Sequence, residues 1–107
     1  MKQLLAVLFS AAVLATAAEQ QTFVGVITDT MCGADHKGMG ISPESKCVRD
    51  CVRLHQGVKY ALWDGKNLYV LSDQKTPEAF AAQKVKVTGK LYEKTKILRV
   101  DKIEAAN

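Results

Sequence analysis

The run VKYALWDGKNLYVLS, residues 58–72, sets the architecture of this chain. Val58 to Trp63 and Leu68 to Ser72 are rich in β-branched and aromatic side chains, which pack well on a pleated surface. Between them Asp64-Gly65-Lys66-Asn67 carries the Asp-Gly pair that gives a tight turn its positive φ. The stretch reads as a β-hairpin. Beyond it, Thr76-Pro77-Glu78 opens a short helix, Pro77 to about Gln83, with proline at the first helical position and Phe80 as anchor. Lys84 to Tyr92 (KVKVTGKLY) alternates lysine with Val85 and Val87, the pattern of an antiparallel strand with one wet face, and Ile97 to Ile103 (ILRVDKI) forms a last strand after a charged turn.

On the N-terminal side, Thr22 to Asp29 (TFVGVITD) has the composition of a strand buried on both faces. Thr30 to Pro43 is a glycine-rich loop with no apolar period. Ser42-Pro43-Glu44 then reads as N-cap, first helical proline and favourable first-turn acid, opening a helix from Pro43 to about His55 that Gly57 stops. On that helix Cys47, Cys51, Leu54 and His55 share one face with Val48 and Val52 alongside, while Lys46, Arg49, Asp50 and Arg53 face away. The expected fold is mainly β: a five-stranded, OB-fold-like barrel with a cysteine-bearing helix between strands one and two and a short helix between strands three and four. Gly89 suits a strand that must bend sharply around such a barrel.

Residues 1–18 read as a cleavable secretory signal. Lys2 gives a positive start, Leu4 to Ala18 is an apolar run too short to span a bilayer comfortably, and Ala15-Thr16-Ala17 offers the small side chains a signal peptidase requires. The expectation is export to the periplasm or medium, no stable membrane anchor after cleavage, and a single domain over residues 19–107. The chain of 107 residues carries a net charge of +4, which falls to +3 without Lys2, too mild for a polycationic nucleic-acid binder. So small a domain gains from a covalent or metal staple.

The chemistry-bearing residues are concentrated in the insert, as C-x3-H-x10-C-x3-C-x3-H: Cys32, His36, Cys47, Cys51 and His55. Residues four apart on a helix share a face, so Cys47 and Cys51 can hold one ion while Cys32 and His36 close it from the loop. Three thiolates and an imidazole are a tetrahedral set for zinc or copper, and the nearby Met31 and Met39 lean towards copper(I). His55 reads instead as a cation at the helix C-terminus. Asp29, Thr30 and Asp35 suit turn and capping roles, or the orientation of a ligand. An alternative stands beside the metal site: in an exported protein Cys32 can be disulfide-bonded to Cys47 or Cys51, leaving a spare thiol and no metal.

The string Gly25-Val26-Ile27-Thr28-Asp29-Thr30-Met31-Cys32-Gly33-Ala34-Asp35-His36, with Cys47-Val48-Arg49-Asp50-Cys51-Val52 and Lys59-Tyr60-Ala61-Leu62, resembles a family of small exported bacterial proteins. Val85-Lys86-Val87-Thr88-Gly89, Ile97 and Ile103 are similar to their closing strands. The resemblance implies export, a compact β-barrel-like domain and one constellation of Cys32, His36, Cys47 and Cys51; it implies no activity.

The expected function is therefore an exported binding module for a metal ion, a small ligand or a protein. Lys84, Lys86, Lys90, Lys94 and Lys96 near Tyr60, Trp63, Tyr69 and Tyr92 would suit an oligonucleotide-binding barrel. Lysines alternating with valines are better read as a wet strand face, and export separates the chain from most nucleic acid. Thiol redox chemistry fits poorly, because C-x3-C lacks the thioredoxin spacing. No catalytic constellation is recognised, so an enzyme is not expected.

Overall fold

The computed structural model describes residues 20–35, 40 and 42–106. Residues 1–18, expected to be a secretory signal, lie outside the described residues together with His36 and Met39. In chain order the elements are β1 (Gln21–Asp29), α1 (Glu44–Leu54), β2 (Tyr60–Trp63), β3 (Leu68–Leu71), a 3-10 turn (Thr76–Phe80), β4 (Lys84–Tyr92) and β5 (Ile97–Ala105). The architecture is mainly β. The five strands close into a ring in the order β1-β2-β3-β5-β4, with β4 returning to β1. All neighbours are antiparallel except β3 and β5, which run parallel through only Val70↔Ile97 and Leu71↔Leu98. Among the described residues no helix is long and apolar enough to cross a membrane.

The hairpin at residues 58–72 forms as composition dictates. Asp64 Oδ1 accepts from the Lys66 and Asn67 backbone N–H groups at 2.8 and 2.6 Å, and Gly65 takes φ 99°. Those donated N–H groups, Asn67 first, hold the Asp64 carboxyl below its usual range. Strand β2 is shorter than expected because the cysteine loop engages the backbone of Lys59: Thr30 N donates to Lys59 O at 3.0 Å, and Lys59 N donates to Thr30 Oγ1 at 3.1 Å. Strand β5 is longer than expected, because its pairing with β4 continues to Val85↔Ala105.

The core lies inside the ring and under α1: Ile27, Val48, Tyr60, Leu62, Tyr69, Leu71, Ala81, Val85, Val87 and Leu98 pack together, with Phe23 and Val52 against them. Phe23 meets Tyr69 edge to face, ring centres 5.9 Å apart. On β4, Val85 and Val87 are fully buried while Lys84 and Lys86 are exposed, so the alternation does mark one wet face.

Four expectations are corrected. Strand β1 is not buried on both faces: Val24 is 46% exposed, and apart from Gly25 burial is confined to Ile27, Thr28 and Asp29 at its end, where the helix and the cysteine loop cover the sheet. Helix α1 starts at Glu44 with Pro43 rather than Ser42 in the capping position, and the Pro43 carbonyl accepts from Lys46 and Cys47 N–H. Its last turn stands in solvent, so Leu54 is 72% exposed and His55 lies beyond the helix in extended conformation; burial is confined to Cys47, Val48 and Cys51. The second helix is a 3-10 turn that stops at Phe80, because Ala82 N donates to Ile27 O and Ile27 N donates to Gln83 O, drawing residues 81–83 against β1.

Ring closure depends on Gly89. A register shift falls between Thr88 and Gly89, and a Cβ at Gly89 would meet Arg99 O at 1.8 Å. That oxygen belongs to the paired strand and cannot step aside. Gly89→Ala is expected to cost roughly 3 kcal/mol, at the upper end of overpacking penalties, measured by urea unfolding. Tyr60 behaves oppositely: it is 2% exposed, and its hydroxyl finds no hydrogen-bond partner among the described residues. A buried unsatisfied hydroxyl costs stability. Tyr60→Phe should leave the melting temperature unchanged or raise it, and a clear fall would refute this assignment.

A candidate metal centre of three cysteines

At its C-terminal end β1 delivers its last residue, Asp29, into the interior, where it is fully buried. Its Oδ1 accepts from the backbone N–H groups of Met31 and Cys32, both at 2.9 Å, folding the chain into a tight turn. Gly33 N donates to Asp29 O at 3.0 Å, Thr28 Oγ1 donates to Gly33 O at 2.7 Å, and Asp35 N donates to Cys32 O at 3.2 Å. Cys32 is thus fixed through its backbone on both sides. Thr30 ties the same turn to the start of β2.

Helix α1 presents the other two thiols. Cys47 is fully buried and Cys51 is 1% exposed, one turn apart on the face that also buries Val48. Polar residues hold the opposite face: Asp50 takes Lys46 Nζ at 2.6 Å and Arg53 Nη2 at 3.3 Å, and Lys46 in particular holds its carboxyl below the usual range. Arg49 Nε donates to Glu78 O at 3.0 Å, joining the helix to the 3-10 turn.

The ligand atoms of Cys32, Cys47 and Cys51 all lie within 4.8 Å of one another, and the three thiols are free. The sequence expectation that loop and helix cysteines form one constellation is met for these three. His36 is not among the described residues, and His55, exposed beyond the helix, is not in the cluster. Asp29 takes the turn role foreseen for it and adds something the sequence did not signal, a buried carboxylate beside the thiols.

Burial first, then the Asp29 charge, then the neighbouring thiols push Cys51 up to about 12. Cys32 is raised by burial first and by Asp29 next. Without a cation these groups are neutral thiols at pH 7, hence weak nucleophiles; a cation among them would supply the charge that ionisation needs. Of the aromatics grouped with the lysines in sequence, Tyr60 and Tyr69 are core residues, and only Trp63 and Tyr92 present ring surface. Lys86 and Lys102 both approach Glu104, at 3.8 and 3.7 Å, and Lys90 lies 5.4 Å over the Tyr92 ring.

Asp29→Ala should release the Cys32 turn and destabilise the fold by roughly 2–3 kcal/mol, since it leaves N–H groups without a charged acceptor. Asp29→Asn, which keeps an acceptor oxygen, should cost measurably less in thermal unfolding. Compared with known proteins, the chain matches no protein-family model, no curated protein and no solved structure.

Proposed function

We propose that this chain is an exported metal-binding module whose OB-fold-like barrel carries a zinc or copper site made by Cys32, Cys47 and Cys51, with His36 as fourth donor. One observation carries the reading: three sulfurs, one from the turn after β1 and two from the buried face of α1, converge within 4.8 Å. Zinc–sulfur bonds of about 2.3 Å place tetrahedral thiolates about 3.8 Å apart, so the cluster needs to contract by about an ångström or less to embrace an ion. Thiolate donors exclude magnesium and calcium as preferred guests. For the barrel, support comes from the strand order β1-β2-β3-β5-β4 and the parallel β3–β5 contact. Export rests on the sequence of residues 1–18 and on the family resemblance.

Protein purified without chelators should retain about one equivalent of zinc or copper(I), read by native mass spectrometry and elemental analysis. Cys47→Ser and Cys51→Ser should abolish retention, His36→Ala should weaken it at least tenfold, and His55→Ala should leave it unchanged. The competing disulfide uses the same proximity. Metal-free protein with a mapped Cys32 disulfide, indifferent to EDTA, would overturn the metal reading.

Binding must expel thiol protons, since the thiolate is the ligand. With Cys32 and Cys51 both raised, their protons stay on in the metal-free site throughout the neutral range, so apparent affinity rises with pH. Each thiol proton released contributes about tenfold per pH unit. Dissociation constants at pH 6 and pH 8 in competition with a chromogenic chelator check the sign.

A further inference from the structure

The three thiols are not equivalent, and the difference bears on what the site is for. Cys47 and Cys51 are sealed, at 0% and 1% exposure, whereas Cys32 is partly open to solvent. Its chain neighbourhood is open as well: Met31 is 44% exposed, and Ala34 and Asp35 are exposed. Structural metal sites close all their ligands into the fold and supply its stability. Here the hydrophobic cluster that fills the ring, from Ile27 and Leu62 to Val85 and Leu98, is built without the cysteines, although Cys47 and Cys51 are buried on the helix that lends it Val48. Most of that cluster comes from the strands themselves.

Resting on the metal reading above, we infer that the bound ion is cargo rather than a staple, and that it leaves by ligand exchange at Cys32 to a thiol-bearing acceptor. An incoming donor must reach the ion while one resident bond is still breaking, and of the three described ligands only Cys32 is partly open. The step is a substitution without electron transfer. The acceptor sulfur bonds the ion, the Cys32–metal bond breaks, and the proton of the incoming thiol passes to the departing Cys32 sulfur. A second acceptor thiol then displaces one helix cysteine and hands it its proton, the last cysteine takes a proton from water as its bond breaks, and the ion, released also by the His36 imidazole, which needs no proton, leaves on the acceptor's two sulfurs. The partner is therefore a molecule offering two or more thiols in reach of one another.

The test uses the full mature chain loaded with zinc, its occupancy first measured by equilibrium dialysis. Loaded protein is mixed with increasing concentrations of dimercaptosuccinic acid, and loss of bound zinc is followed in time. A transfer rate that rises about tenfold over a tenfold increase in dithiol supports exchange at the site. A rate independent of dithiol shows that the ion leaves first, and overturns it. In parallel, limiting N-ethylmaleimide is added to loaded protein and the first adduct is mapped by peptide mass spectrometry. At least nine-tenths on Cys32 is expected, while first adducts on Cys47 or Cys51 overturn the proposal. Removal of the ion should leave the far-ultraviolet circular dichroism unchanged; collapse of the strand signal would make the ion a staple and overturn the cargo reading. A chain that retains no zinc or copper at the dialysis step fails the underlying metal reading itself, and is recognised before any rate is measured.

Discussion

The cysteine cluster depends on a single carboxylate oxygen. Asp29 Oδ1 turns the chain at the end of β1 by accepting from the Met31 and Cys32 N–H groups, and so decides where Cys32 lies relative to a helix that begins at Glu44. Both contributors are separately anchored. The turn is tied to β2 through Thr30 and Lys59, and the helix to the 3-10 turn through Arg49 and Glu78. The same carboxylate adds to burial, the larger cause, in opposing ionisation of Cys32 and Cys51, so one group both assembles the cluster and disfavours thiolates within it.

Much of the strand plan is legible in sequence because local chemistry and long-range structure agree there. The Asp-Gly turn, the valine–lysine alternation of β4 and the glycine at the ring's sharpest approach each carry a physical signature that needs no tertiary context. Where reading fails, a tertiary contact has overridden the local preference. Ala81 to Gln83 belong to an alanine-rich stretch suited to helix, yet the Ala82 N–H and the Gln83 carbonyl are taken by Ile27. Leu54 lies at a helical spacing that promises burial, but the last turn of α1 has nothing to cover it. Val24 has the composition of a doubly buried strand and sits where only one face is covered.

The site divides similarly. Cysteine spacing alone brings Cys47 and Cys51 to one helix face, because the period of a helix is fixed by its backbone. That Cys32 joins them is suggested by clustering along the chain, but its actual approach is set by turn geometry. Sequence cannot separate a carboxylate that caps a turn from one that also charges its surroundings, since that distinction is burial, and Asp29 is fully buried. Nor does spacing reveal that one thiol of the three is left partly open.

The parallel seam between β3 and β5 has a bearing on the far side of the ring. It is held by two residue pairs and a few backbone hydrogen bonds, including Val70 N to Lys96 O and Ser72 N to Leu98 O, each 3.0 Å. Strand β1, by contrast, is gripped by β2 over four pairs and by β4 over six. Any breathing of the ring is therefore concentrated at the seam, opposite the strand from which the cysteine turn is suspended. The ring's least-paired joint thus lies across from the strand that leads into the cysteine turn, so opening there breaks none of the hydrogen bonds that hold Cys32.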